Sequence, residues 1–188
     1  MKLDPRSALG AEFGGVSAIA DFPARGIAVC ERADVGCVLV TAAISSAEVC
    51  AKASAAIGAE LPRSPGIVIT HGGLAAVWFS PRSWLILCGV KDETRIVARV
   101  NATFLDKLVY AALFTDNFCW FELRGLRAKE LLQKGGFISL ERGGLTAGRA
   151  KQALIAGVAA VIIHKEDEVW QVGIERSRAR YFADWLMS

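Results

Sequence analysis

Two histidines, His71 and His164, are the imidazoles this sequence offers for acid–base or metal chemistry, and each ends an apolar, strand-like run. Neither belongs to an H-x-x-x-H or H-E-x-x-H pattern, the spacing that sets two ring nitrogens on one helix face around zinc. His164-Lys165-Glu166 spells H-x-E, the opening of a zinc deaminase signature, but the P-C-x-x-C that must follow is missing. Both histidines therefore read as structural or solvent-edge side chains. The five cysteines, Cys30, Cys37, Cys50, Cys88 and Cys119, are odd in number, and no two are separated by only two residues. That spacing fits neither a zinc ribbon nor a redox dithiol, and it points to a reducing, cytoplasmic compartment. Cys37 and Cys88 sit inside apolar runs as small hydrophobes. Cys119, beside Trp120, has no basic neighbour in sequence to lower its pKa and make a nucleophile of it.

Glycine-rich stretches and carboxylates give equally little chemistry. Gly143-Gly144-Leu145-Thr146-Ala147-Gly148-Arg149 has the look of an anion-binding loop. Yet no G-x-x-x-x-G-K-[ST] is present, and no G-x-G-x-x-G joins a strand to a helix, so a plain turn is expected there. Without such a fingerprint the chain lacks a sequence signal for holding its own dinucleotide. Glu166, Asp167 and Glu168 form a charge run expected in a solvated hairpin turn. Asp116, next to Asn117, is the one carboxylate positioned to reach a ligand, against the simpler reading of an Asx turn. No G-x-S-x-G nucleophile elbow occurs. The expectation is no catalytic, cofactor-binding or metal-binding residue in this chain.

Two aromatic constellations remain. In Trp78-Phe79-Ser80-Pro81-Arg82-Ser83-Trp84-Leu85 two tryptophans bracket a proline turn. At the C-terminal end, Arg178, Tyr181 and Trp185 share one flank of a predicted helix whose stripe is Ala179, Phe182, Ala183 and Leu186. Arg, Tyr and Trp together have the composition of interface anchors, while a Trp that caps the core edge is the alternative.

The elements that must carry these residues alternate as strand pairs and single helices. Ile27–Glu31 and Cys37–Ala42 read as strands around a turn at Asp34-Val35-Gly36. Ser45 and Glu48 spell an S-x-x-E capping box for a helix with Val49, Ala53, Ala56 and Ile57 inward and Gly58 as its stop. Ile67–His71 and Leu74–Phe79 flank Gly72-Gly73 as a hairpin, and Trp84–Cys88 is a further strand. Lys91-Asp92 opens a second helix with Ile96, Val97, Val100, Phe104 and Leu108 on one face. Val109–Phe114 and Cys119–Leu123 are strands. Leu126–Lys134 is a helix with Leu131 and Leu132 inward, ended by Gly135-Gly136. Val158–His164 and Glu168–Ile174 pair across Lys165-Glu166-Asp167, and Ser177 caps the last helix. The order predicts an α+β fold of mixed or antiparallel sheets with helices to one side. Trp84 to Ile163 can be read as a ferredoxin-like split β-α-β series. Residues 1–26 read as an N-terminal arm, and 27–188 as the domain, with lobes at about 27–90 and 91–188.

Composition narrows the partners. Across 188 residues 53% are hydrophobic and 22% charged, enough for a packed core. The mean hydropathy of +0.37 reflects either an alanine-rich interior or apolar surface covered by a partner. A net charge of +3 with scattered basic residues and a pI near 8.7 gives no nucleic-acid footprint. The longest apolar run, Ala153 to Ile163, falls well short of the ~20 residues of a membrane span, so no membrane is expected as a partner.

The order of motifs resembles a known family. Trp78, Pro81, Trp84 and Leu85 match the strand–turn–strand of sarcosine oxidase gamma subunits, and Arg176-Ser177, Ala179, Tyr181 and Trp185-Leu186 match that family's closing helix. Between them, the segment from Thr115 to Gly135 and the earlier Leu61-Pro62 also fit, so the resemblance spans roughly residues 27 to 187. Ser80 stands where the family usually has Gly, and Leu126 where it has Pro. Arg82-Ser83 replaces an acidic residue, and Phe137–Leu140 lacks the usual cysteine or aspartate. The resemblance implies a fold related to the folate-binding aminomethyltransferases and to the N-terminal domain of a tRNA-modifying GTPase. It implies a non-catalytic gamma-like subunit, with FAD, FMN, NAD and tetrahydrofolate held by larger alpha, beta and delta-like partners. The complex would oxidatively demethylate sarcosine to glycine and hydrogen peroxide, passing a one-carbon unit to tetrahydrofolate. A stand-alone folate-binding aminomethyltransferase-like protein, or a homo-oligomeric scaffold, are the alternatives; self-association of the isolated chain stays open.

Overall fold

Short apolar runs punctuated by turns fold here into eleven strands and four helices, in a computed structural model that describes residues 7–9, 18–22 (backbone), 26–44, 46–106, 108–136 and 145–188. The strands are β1 (Ala18–Phe22), β2 (Ile27–Glu31), β3 (Val35–Ala42), β4 (Val68–His71), β5 (Leu74–Ser80), β6 (Ser83–Gly89), β7 (Val109–Leu113), β8 (Phe118–Arg124), β9 (Arg149–Ile155), β10 (Val158–Glu166) and β11 (Val169–Glu175). The helices are α1 (Ala47–Ile57), α2 (Glu93–Thr103), α3 (Ala128–Lys134) and α4 (Ala179–Met187).

Two compact units divide the chain. Unit 1 takes residues up to Asp34 and from Asp116 onward, and unit 2 is Val35–Thr115. Lobes at 27–90 and 91–188 do not follow this division. The chain enters unit 2 after β2 and returns at β8, because β8 pairs with β2 rather than with its sequence neighbour β7. Unit 1 holds an antiparallel sheet in the order β1-β2-β8-β11-β10-β9. Its core lies on one face, where Val29, Phe121, Leu123, Val172, Ile174 and Ile162 meet Ala128 and Leu132 of α3 and Phe182, Ala183 and Leu186 of α4. Phe121 and Phe182 meet edge-on at 5.3 Å between ring centroids, a favourable orientation of ring quadrupoles.

Unit 2 is an antiparallel sheet in the order β4-β5-β6-β3-β7. Because β6 and β7 each run antiparallel to the intervening β3, they run parallel to each other, joined by α2. That is a split β-α-β arrangement. The longer series expected from Trp84 to Ile163 instead divides between the two sheets after β7. Ile57 and Ala53 of α1, with Ile96 and Val100 of α2, pack on Val38, Val40 and Ile86 of the sheet. Gly72 and Gly73 take φ of 55° and 81°, the two positive values that a tight hairpin between β4 and β5 needs.

Several boundaries moved for local reasons. Ser46, not Ser45, caps α1: its hydroxyl accepts from the backbone N–H of Val49 at 3.2 Å, while Ser45 lies outside the described residues. Ser177 does not cap α4; it sits in a 3-10 turn and its hydroxyl donates to Glu175 at 2.9 Å. Part of the expected arm is strand, since β1 pairs with β2. Ser7–Leu9 folds onto unit 1, with Leu9 buried in its core. The strand β9 was not expected; it forms a hairpin with β10 across Ala156-Gly157, where φ is 51° and 76°. Gly143, Gly144 and Phe137–Leu140 lie outside the described residues, while Thr146–Gly148 is a turn.

Candidate functional site

Unit 1 presents its apolar stripe at a groove of about 350 Å³ lined by Ile27, Arg127, Leu131, Lys134, Trp185 and Leu186. Trp185 is half-buried and packs 5.4 Å from Phe182, centroid to centroid, so its ring is both core edge and groove wall. A Cβ on Gly135 would meet the Trp185 ring at 2.7 Å and collide with Ile155, so the missing side chain is what lets α4 settle. Of the expected flank, only Trp185 faces this groove. Arg178 and Tyr181 are exposed, and the Tyr181 hydroxyl donates to the Ala156 carbonyl at 3.1 Å.

Unit 2 has a second hollow of about 270 Å³ between Ser46, Cys50, Pro62, Arg63, Trp78 and Trp84. The proline turn brings the two tryptophans together as cross-strand neighbours. Trp84 is buried, and its indole N–H donates to the Pro62 carbonyl at 2.8 Å, which ties the turn to the segment after α1. Trp78 remains half-buried at the rim.

Charged side chains that the sequence did not single out occupy the sheet of unit 1. On β8 the residues Cys119, Phe121 and Leu123 face the helices, so Glu122 points to the opposite face. Its carboxylate is 3% exposed. Arg32 Nη1 reaches Oε2 at 2.7 Å, Arg124 donates Nε and Nη2 to Oε1 at 2.7 Å, and Lys165 Nζ lies 3.4 Å from Oε2. Burial raises the Glu122 pKa, but the Arg124 hydrogen bond and the charges of Arg32, Lys165 and Arg124 outweigh it and hold the carboxyl below its usual range. Arg32 is also held by Asp34 through two bonds of 2.8 Å, and this pairing lowers the Asp34 pKa. A second buried carboxylate, Glu31, accepts from the Ala8 backbone N–H at 2.8 Å and from the Ser7 hydroxyl, and so fastens the N-terminal segment. The Cys119 thiol donates to the same carboxylate at 3.5 Å. The signal for both was a glutamate among apolar strand residues, which is rarely buried unless paired.

The residues weighed for chemistry do not converge. His71 is exposed at the end of β4. His164 stacks on the buried Trp170 at 3.9 Å and 5°, with Nδ1 2.9 Å from the Leu145 carbonyl; its ring is a packing element. Asp116 is exposed in the 3-10 turn Thr115–Asn117 and lines neither hollow. Its neighbour Thr115 makes the structural bonds there, accepting from the Cys37 N–H at 2.8 Å and donating to Glu93. Burial, and then the charge of Glu31, push the Cys119 thiol up, and burial drives Cys37 up as well. Cys88 is pushed up to about 12, by burial and then by Glu93. All five cysteines are free. Among the described residues no group of three or more His, Cys, Asp and Glu side chains is arranged to hold a metal ion, and no helix is long and apolar enough to cross a membrane.

Comparison with known proteins matches residues 41–188 to the model of the sarcosine oxidase, gamma subunit family. The chain belongs to that family. No curated protein matches it significantly. Among solved structures it is similar to the heterotetrameric sarcosine oxidase from Corynebacterium sp. U-96, solved with pyrrole 2-carboxylate. The TM-score is 0.79 at 20% identity, over 87% of this chain and 83% of that one. It is also similar to the glycine cleavage system aminomethyltransferase T from Bartonella henselae, with a TM-score of 0.64 at 11% identity. That match covers 87% of this chain but 46% of the other. The α+β fold shared with aminomethyltransferases is thus observed, as the family resemblance implied. At these identities the two structures speak for the fold, and the family match carries the assignment to sarcosine oxidase gamma subunits.

Proposed function

We propose that this gamma-family chain is a non-catalytic subunit of a heteromeric, cytoplasmic sarcosine oxidase. Larger alpha, beta and delta-like subunits would bind FAD, FMN, NAD and tetrahydrofolate and carry out the demethylation. The observation that supports this most is the family match over residues 41–188. In unit 1 the two buried carboxylates have structural partners, Glu122 three cations and Glu31 backbone and hydroxyl donors, while the buried Trp120 indole N–H has no hydrogen-bond partner among the described residues. The two tryptophan-walled hollows are the surfaces we assign to subunit contact, Trp185 in unit 1 and Trp78 in unit 2. The arm, beyond the part that folds onto unit 1, is not needed for this reading.

The test is direct. Purified alone, the chain should be colourless and should produce no hydrogen peroxide from sarcosine. A flavin-coloured, sarcosine-oxidising preparation of this chain by itself would overturn the proposal.

A further inference from the structure

Strand β7 ends the five-stranded sheet, so among the described residues one row of its backbone groups has no strand to pair with. Its sequence, Val-Tyr-Ala-Ala-Leu, has no charge, no proline and no bulge against β3. Tyr110 and Leu113 are 60% and 53% exposed, and Leu105 nearby is 84% exposed. Such an edge is a template for pairing with an identical strand, antiparallel and two-fold symmetric. Leu108 and Phe114 bond toward β3, through the Ala43 N–H and the Cys37 carbonyl respectively. By alternation the outward row belongs to Val109, Ala111 and Leu113. Ala111 is its middle, and Asn101, in the last turn of α2, takes both of its groups. The Asn101 Nδ2 donates to the Ala111 carbonyl at 3.0 Å, and its Oδ1 accepts the Ala111 N–H at 2.9 Å.

We propose that Asn101 is a lock on the β7 edge, a side-chain amide standing in for a neighbouring strand, and that the occupant it excludes is a second copy of this chain. A side-chain amide carries the same donor and acceptor as a peptide group, so it satisfies the edge without extending it. An incoming strand could not register across Ala111 until the amide left. One such bond weights an equilibrium about fivefold. Two bonds in each of two copies oppose pairing on the order of several-hundredfold. This inference goes beyond the proposed function and does not depend on it, because it concerns the chain alone.

Sedimentation velocity over a concentration series tests it with Asn101→Ala and the near-isosteric Asn101→Leu. Both should keep the wild-type circular dichroism and associate at a concentration lower than wild type by on the order of several-hundredfold. Adding Leu113→Lys, a charge on the bare edge, should return each to wild-type behaviour. Folded variants that associate no more than wild type overturn the lock. Association that survives Leu113→Lys places the contact elsewhere and also overturns it. If neither variant folds, amide exchange in the wild type decides: a protected Ala111 amide supports the lock, and one that exchanges like an unpaired edge amide refutes it.

Discussion

Replacing Glu122 by Gln removes the negative charge from the centre of the unit 1 network while leaving volume and shape almost unchanged. Three cations then face an amide. The Gln carbonyl can accept from one of them, and its NH2 turns a donor toward another. Breaking a buried ion pair by removing one partner costs about 3–5 kcal/mol, because the remaining charge is left uncompensated. Here the survivors are not fully buried: Arg32 is 28% exposed, Lys165 40% and Arg124 56%. Each can recover water, so the loss belongs at the lower end, about 3 kcal/mol. For a chain of this size that lowers Tm by roughly 6–12 °C. The sign of the pH dependence follows from the depressed carboxyl. Its stabilisation is fully present above the unfolded value, about 4.3, and disappears as pH falls through the lower folded value. Urea unfolding of wild type and Glu122→Gln at neutral pH and at about pH 3 reads both effects. The two proteins should differ at neutral pH and converge in acid. A neutral-pH difference under about 0.5 kcal/mol, or one that persists undiminished in acid, would refute the reasoning.

Further outcomes follow from the same packing. Gly173→Ala puts a Cβ 2.6 Å from the Trp120 ring, so urea unfolding should show a loss of about 1–3 kcal/mol with a shifted tryptophan emission. Phe182→Ala removes a fully buried ring set against Phe121 and should cost about 3–5 kcal/mol in the same assay. Lys165→Met, by contrast, should change stability by less than about 1 kcal/mol, since that partner is half-exposed at 3.4 Å. In the native protein at neutral pH, Cys30 is the half-buried thiol among four buried ones, so peptide mapping after alkylation should find it modified first.

Most of the fold was legible because local signals and burial agree. The Gly72-Gly73 hairpin, the inward stripe of α1 and the strands β2 and β8 were readable from turn chemistry and periodicity. What was missed has physical reasons. The apolar run from Ala153 to Ile163 hides a reversal, since Ala156-Gly157 carries no Asn or Asp to mark a turn and Ala156 is held at positive φ by the hairpin itself. The strand β9 disappeared into that run. The division into units was hidden because β2 pairs with β8 across the whole of unit 2, a connection that local sequence cannot express. The candidate site was legible in part. The tryptophan turn and Trp185 were named from composition, while the Glu122 cluster joins residues of β8, β10 and the turn after β2, which local sequence does not bring together. Asn101 had no signal at all, because its role depends on which strand ends the sheet.

Co-expression of this chain with large flavin-binding sarcosine oxidase subunits, followed by native mass measurement of the purified assembly, tests the subunit assignment most directly. The account predicts one stoichiometric complex in which every cofactor and all sarcosine oxidation stay with the larger chains when this one is stripped away. A chain that never enters such a complex, or that takes flavin and activity with it on separation, would contradict it.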